Sequence, residues 1–228
     1  MTKLRCWLRT VFLMAIMIMG LSWVPVAWAD LSDGLVAYYP FEGNVADESG
    51  NANHGVRKGH AEFRTGIVGK LALYLDGDGD YVELGNDLNL YNEYSVSVWI
   101  KTEDATRNAA AIIAKYETNH YGPYDFQLNN DKASLWISSG TGSYKEILSN
   151  ASISEDAWTY ITFVGQNGTF KIFLNGVLDT NTTVPNMTQN NDAVTIGRQA
   201  LMFSPENELQ FKGYIDDLRI YNRVLSES

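Results

Sequence analysis

The stretch Phe170-Lys-Ile-Phe-Leu-Asn-Gly-Val-Leu178 decides the fold class. Two β-rich runs flank Asn175-Gly176. Asn-Gly between such runs is a strong short-range hairpin signal, because both central residues of the tight turn must accept positive φ. Moving outward, two-residue alternation recurs. Tyr94-Ser-Val-Ser-Val-Trp-Ile100 places Val96, Val98 and Ile100 on one face, with Ser95 and Ser97 on the other. Trp158 to Val164 alternates in the same way. Further strands are predicted at Leu35–Phe41, Leu71–Leu75, Tyr81–Leu84, Ala111–Tyr116, Tyr124–Leu128, Ala133–Ser138, Tyr144–Leu148, Ala193–Gly197 and Gly213–Tyr221. After residue 30 no long stretch carries a clean 3.6-residue apolar period. Twelve or thirteen short strands separated by Gly/Asn/Asp turns therefore predict an all-β antiparallel sandwich. No repeat or linker-like shift interrupts residues 30–228, so one domain is expected there.

The first 29 residues read as a bacterial-style signal peptide. Lys3, Arg5 and Arg9 form a basic start, Val11 to Leu21 is uncharged and apolar, and Ala27-Trp28-Ala29 offers small residues for cleavage before Asp30. Val11 to Ala29 is also just long enough to span a bilayer as an uncleaved anchor, but Pro25 and the Ala-x-Ala favour cleavage, so the expected location is secreted or extracytoplasmic, with no membrane insertion after cleavage. The 228-residue chain has a formal net charge of −10, and removing those three cations and no acid leaves −13. So acidic a surface repels phosphate backbones and anionic lipids and favours cations, which disfavours nucleic-acid partners. The only cysteine, Cys6, falls within the signal segment, so a mature chain has no disulfide and no thiolate chemistry. Asn150, Asn167, Asn181 and Asn186 open N-glycosylation patterns, which place those segments in surface turns.

Signs of catalysis are absent from the sequence. His54, His60 and His120 are the three histidines, and none stands in a metalloprotease pattern or beside a nucleophile elbow. Glycoside hydrolysis needs two carboxylates flanking one bond. Glu42 to Asp47 and the pair Glu103-Asp104 do not supply a recognisable spacing for them. The chain is expected not to be an enzyme.

Three segments, read in order, carry a resemblance. They are Gly34-Leu-Val-Ala-Tyr-Tyr-Pro-Phe-Glu-Gly-Asn-Val-Ala-Asp-Glu-Ser-Gly-Asn-Ala-Asn-His-Gly55, then Gly69 to Glu83 together with the Asn-Gly hairpin, and finally Gly213-Tyr-Ile-Asp-Asp-Leu-Arg-Ile-Tyr-Asn-Arg-Val-Leu-Ser226. In this order the chain resembles the laminin-G-like jelly-roll domains of the concanavalin A-like lectin/glucanase superfamily, across about residues 34–226. The resemblance implies a two-sheet antiparallel jelly-roll sandwich of about 12–13 strands. It leaves activity open, since one fold hosts lectins, glycosidases and assembly modules.

Asp47-Glu-Ser-Gly-Asn-Ala-Asn-His-Gly55 is rich in hard oxygen ligands and in glycines that let carbonyls turn inward, which suits Ca2+. On the last strand, alternation puts Asp216 on the face of Tyr214, Leu218 and Ile220, read as the core-facing phase. A carboxylate there needs a cation, a donor or a proton. Two readings stand side by side. In one, Asp47 opens an Asx-type turn and Asp216 accepts backbone N–H groups. In the other, which the resemblance implies, neighbouring first and last strands let Asp47 and Asp216 meet at one structural calcium ion, with Asn51 and His54 completing its shell. Asp76-Gly-Asp-Gly-Asp80 imitates the start of an EF-hand loop, but Tyr81 stands where glycine is required and Asp87 where glutamate is. It is expected to be a turn.

The candidate ligand site is Tyr116-Glu-Thr-Asn-His-Tyr-Gly-Pro-Tyr-Asp125, a polar and aromatic loop. In one reading Tyr121 and Tyr124 would stack on a sugar ring, Asn119, His120 and Asp125 would bond its hydroxyls, and Tyr116 would flank them; in the other, Tyr116 and Tyr124 are strand-edge residues half-buried at the sandwich rim. Trp99, Trp136 and Trp158 lie mid-strand and read as core or sheet-face residues rather than platforms. The leading expectation is a non-catalytic module for a carbohydrate or cell-surface ligand. The alternative is a structural module with a protein partner, and a glycosidase ranks third. Exposed aromatics beside paired polar groups favour the first, a flat apolar patch the second, and carboxylates opposed across a cleft the third.

Overall fold

The computed structural model describes residues 31–117, 120–138, 144–184, 187, 189–199 and 209–225. The predicted signal segment, 1–29, lies outside them. Among the described residues there are fifteen strands and no helix. In order they are β1 (Leu35–Tyr39), β2 (Val56–Lys58), β3 (Glu62–Thr65), β4 (Leu71–Asp76), β5 (Tyr81–Glu83), β6 (Glu93–Thr102), β7 (Ala110–Glu117) and β8 (His120–Asn129). There follow β9 (Lys132–Ser138), β10 (Tyr144–Leu148), β11 (Thr159–Gln166), β12 (Thr169–Leu174), β13 (Val177–Thr183), β14 (Val194–Ile196) and β15 (Lys212–Tyr221). One sheet has the order β13-β12-β11-β6-β15-β4-β3, with β1 also paired to β15. The other runs β10-β9-β8-β7-β14-β5-β2. Every named pair is antiparallel. The result is the expected two-sheet sandwich.

The hairpin at residues 170–178 forms as its turn chemistry dictates: β12 pairs β13, and Asn175 and Gly176 both take positive φ, 51° and 80°. Asp76–Asp80 is the expected turn between β4 and β5, laced by its own acids; Asp78 N–H donates to Asp76 Oδ1 and His60 N–H to Asp80 Oδ1. Between the sheets, side chains from both inner faces interlock. Phe126 of β8 meets Phe163 of β11 at 4.7 Å and Tyr94 of β6 at 6.3 Å. Gly165 leaves room for the ring of Tyr94, its partner on β6, since a Cβ there would stand 2.1 Å from that ring.

One sequence expectation fails on β15. Simple alternation grouped Asp216 with Leu218 and Ile220, but a register shift lies between Asp216 and Arg219, with Asp217 at φ +49°. A bulge inserts one extra residue and reverses the facing beyond it. Ile215, Leu218 and Ile220 belong to the core, whereas Tyr214 packs edge-on to Tyr74 and Trp158, outside it. Asp216 faces with Trp99, its register partner on β6. The bulge also marks a handover, since the same edge of β15 pairs β4 at residues 212–215 and β1 at 218–221. The first and last strands are neighbours, as expected.

Candidate functional site

A single register row crosses the seven-stranded sheet: Val56, Glu83, Thr195, Ala114, Asp125, Trp136, Glu146. Residues directly opposite in antiparallel strands share a face. Phe126 and Leu135, the next pair along β8 and β9, belong to the core. Asp125, Trp136 and Glu146 therefore stand on the outer face. The same face carries Gln127 and Ser134, and Ser134 Oγ–H donates to Glu146 Oε1 at 2.9 Å. Asn129 Nδ2 donates to that oxygen at 2.6 Å. Tyr144 lies flat against Trp136, with ring centroids 4.6 Å apart and planes at 12°. Exposure falls along this ledge. Tyr144 is 51% exposed, Trp136 and Glu146 are half-buried, and Asp125 is completely buried.

Neither carboxylate oxygen of Asp125 has a hydrogen-bond partner. Burial pushes its carboxyl well above the usual range, and the Glu146 carboxylate adds to the rise. The two acids project from one sheet face with Trp136 between them. They are not opposed across a cleft, the geometry that glycoside hydrolysis requires.

The predicted ligand loop is a hairpin instead. β7 runs to Glu117, β8 begins at His120, and these two residues pair. The segment looked too rich in Gly and Pro for a strand, yet Gly122 and Pro123 lie within β8. Pro123 is tolerated because the pairing with β9 begins only at Tyr124, and the pairing with β7 shifts register between Lys115 and Glu117. Asn119 lies outside the described residues, as do the side chains of Tyr116, His120 and Tyr121. Tyr124 is in the core, 1% exposed, and its hydroxyl donates to the Leu88 carbonyl at 2.8 Å. It therefore offers no surface for stacking. Asp125 points to the opposite side, onto the ledge. Trp136 and Tyr144 were not read as a platform. The signal was present in Lys132-Ala-Ser-Leu-Trp-Ile-Ser138, where alternation sets Trp136 with Ser134 on the polar side.

Asp47, Asn51 and His54 do come together. Asp47 Oδ1 accepts from the Tyr38 and Ser49 N–H groups, and Oδ2 from Ser49 Oγ and the Asn53 N–H, all at 2.9 Å. Burial alone would raise this carboxyl, but the donors outweigh it and hold it below its ordinary value. His54 Nδ1 accepts from the Asp47 N–H, and Asn51 Nδ2 donates to the Leu35 and Val36 carbonyls. This is an Asx-type turn with its acceptors filled. Asp216 has a separate donor set: its Oδ2 accepts from Ile67 and Val68 N–H at 2.9 and 3.0 Å, while Oδ1 is buried without a partner. Asp47 and Asp216 thus accept from separate sets of backbone donors. Among the described residues, no three acidic, histidine or cysteine side chains cluster closely enough to hold a metal.

The fold is a two-sheet jelly roll, and comparison with known proteins agrees. The sequence profile described as the concanavalin A-like lectin/glucanases superfamily matches residues 76–228, and the chain belongs to that superfamily. No curated protein sequence matches the chain. Among solved structures, domain 4 of AbnA, an extracellular arabinanase from Geobacillus stearothermophilus in complex with arabinotriose, is similar at TM-score 0.69 and 28% identity, with 85% of this chain and 94% of that chain covered. The binding domain of Paraclostridial Mosquitocidal Protein 1 superposes at TM-score 0.70 with 16% identity, covering 87% of this chain and 51% of that one. The botulinum neurotoxin serotype D binding domain gives 0.68 and 19%, covering 86% and 50%. This chain spans about half of each toxin chain, and at such identities the likeness is one of fold.

Proposed function

We propose that this chain is an exported, non-catalytic module that binds carbohydrate or a cell-surface ligand, and that the ligand lies on the outer ledge of the seven-stranded sheet. The carrying observation is the stacked Trp136–Tyr144 pair, which leaves one face of each ring uncovered by the other, beside the Asn129–Glu146–Ser134 network. Aromatic faces pack against the CH faces of a sugar ring, while planar amides and acids bond its hydroxyls. Supporting it, the 28%-identical arabinanase domain was solved with an oligosaccharide, and the toxin neighbours are themselves binding domains. Of the other large exposed apolar side chains, Leu31, Val56, Ile67 and Tyr91 fall on separate segments, whereas Leu148 shares β10 with Tyr144, and Val177 and Leu178 share β13, so an apolar protein-docking patch stays the second reading. Affinity electrophoresis through gels containing arabinan, xylan, β-glucan or soluble chitosan tests the reading. At least one polysaccharide is expected to retard the wild-type chain. Trp136→Ala is expected to weaken that retention at least tenfold, about 1.4 kcal/mol, while still melting cooperatively. Equal retention of both proteins overturns the ledge as the site.

A structural calcium ion enters this proposal only at Asp216, whose Oδ1 is the buried oxygen left open. A calcium-dependent rise in melting temperature that disappears in Asp216→Asn supports an ion there. An ion bound only to the folded state at one hundred times its dissociation constant adds about 2.7 kcal/mol. Identical melting in calcium and in chelator leaves Asp216 as the acceptor that ties residues 67 and 68 to β15.

A further inference from the structure

Asp125 is the acid that the fold leaves unanswered. It is fully buried, and neither of its oxygens receives a hydrogen bond. Unpaired buried carboxylates are costly, so native structures supply them with a cation, a donor or a proton. Among the described residues, the neighbours of Asp125 supply no cation; Lys115, next to Ala114 on β7, donates to the Asn86 carbonyl and to Asn89 Oδ1. Ala114 and Trp136 stand directly across from it on the two adjacent strands. Glu146, beyond Trp136 in the same row, adds a second acid whose Oε1 is already occupied by Asn129 and Ser134. Farther along the row, Lys58 is bound to Glu83 at 3.3 Å. Lys132 is turned away, donating to the Asn150 carbonyl and to Ser152.

We propose that the ledge is specific for a saccharide carrying a free amino group, the sugar ring packing on the Trp136–Tyr144 stack from an uncovered side and its ammonium displacing the cover over Asp125, which is closed off from solvent in the free chain. This rests on the ledge being a sugar site. Ionised as the ligand binds, Asp125 accepts the hydrogen bonds the ammonium donates, and the ammonium's charge is opposite to that of both carboxylates. A cation pressed against an aromatic face gains further attraction. The rise in the Asp125 carboxyl caused by burial and by Glu146 points the same way, because an arriving ammonium offsets both causes. A bare metal ion suits the ledge less well, since Asp125 and Glu146 belong to no cluster of three metal-binding side chains among the described residues. A lysine side chain shares the charge but has no ring to place on the aromatic pair. Acidic sugars such as uronates are repelled.

The test is isothermal titration of the wild-type chain with a β-1,4-glucosamine tetramer and with its fully N-acetylated counterpart, repeated on Asp125→Asn and Trp136→Ala. The glucosamine tetramer is expected to bind wild type at least tenfold more tightly than the acetylated one. Asp125→Asn is expected to erase that preference, and Trp136→Ala to weaken both ligands. Equal binding of the two tetramers to wild type, lost in Trp136→Ala, overturns the amine specificity and leaves the sugar ledge standing. Preference unchanged in Asp125→Asn overturns the role of that acid. Competition by lysine methyl ester as strong as by glucosamine overturns the saccharide in favour of a protein ligand. If neither tetramer binds and the polysaccharide gels do not retard the chain, the ledge itself falls.

Discussion

Phe126→Ala is expected to lower the unfolding free energy by about 3–5 kcal/mol, read as a fall in the urea midpoint at unchanged slope. The size follows from position. Phe126 is completely buried, and its ring touches Tyr124 on its own strand, Phe163 at 4.7 Å and Tyr94 at 6.3 Å. Two of those three partners belong to the opposite sheet, so the ring joins the two layers directly. Its removal forfeits transfer free energy and leaves a cavity lined by aromatics. Those rings have little freedom to collapse into it, because Phe163 is also stacked on Phe170, and Tyr94 is pressed against Gly165. Domains of this kind are stable by roughly 5–15 kcal/mol, so the variant stands near the limit of folding. Phe126→Leu, which keeps most of the volume, is expected to lose less than half as much. Equal losses would mean that ring contacts, not volume, hold the layers together.

The sandwich was legible in the sequence because its strands obey a rule with period two. Tyr94–Ile100 and the Asn175-Gly176 hairpin need nothing beyond alternation and turn chemistry. The rule fails where the backbone breaks it. On β15 the bulge at Asp216–Asp217 shifts the phase, and no residue type in Tyr-Ile-Asp-Asp-Leu announces it. The short strands β2 and β3 escaped notice because Val56–Lys58 and Glu62–Thr65 are mostly exposed and carry little apolar pattern. The candidate site was half legible. Asp125 was picked out for its company in a polar, aromatic segment, and it does reach the outer face. Tyr124, one residue earlier, must then face the core. The tryptophan across the ladder was set aside because a mid-strand aromatic on an isolated strand reads equally as core. Only the register, which pairs Asp125 with Trp136 and Trp136 with Glu146, turns three separate residues into one row. The Asp47 turn shows the opposite case. Its composition suits calcium, but where each N–H points is a tertiary fact, and here four donors fill the carboxylate.

Asp125→Asn is expected to stabilise the free protein progressively as the pH rises, relative to wild type. The direction follows from linkage. Burial, then the Glu146 carboxylate, raises the Asp125 carboxyl in the folded state, while in the unfolded chain it ionises in the ordinary carboxylate range. Below that range both states hold the proton, and the two proteins should unfold at similar denaturant concentrations. Above it the unfolded wild type releases a proton that the folded form retains. Wild type then loses about 1.4 kcal/mol per pH unit until Asp125 ionises in the folded state as well. Asparagine does not titrate and escapes this loss. Asp47 pulls the other way, since its lowered carboxyl contributes stability above the ordinary range that is lost on acidification. That contribution is common to both proteins and cancels in their difference. Urea unfolding of the pair at pH 4, 5.5, 7 and 8.5 reads the effect directly. A gap that widens with pH in favour of Asp125→Asn identifies Asp125 as an acid whose raised carboxyl costs the free protein stability. Parallel profiles would mean that Asp125 is ionised and paired in the folded protein, which would also remove the vacancy that the amino sugar is proposed to fill.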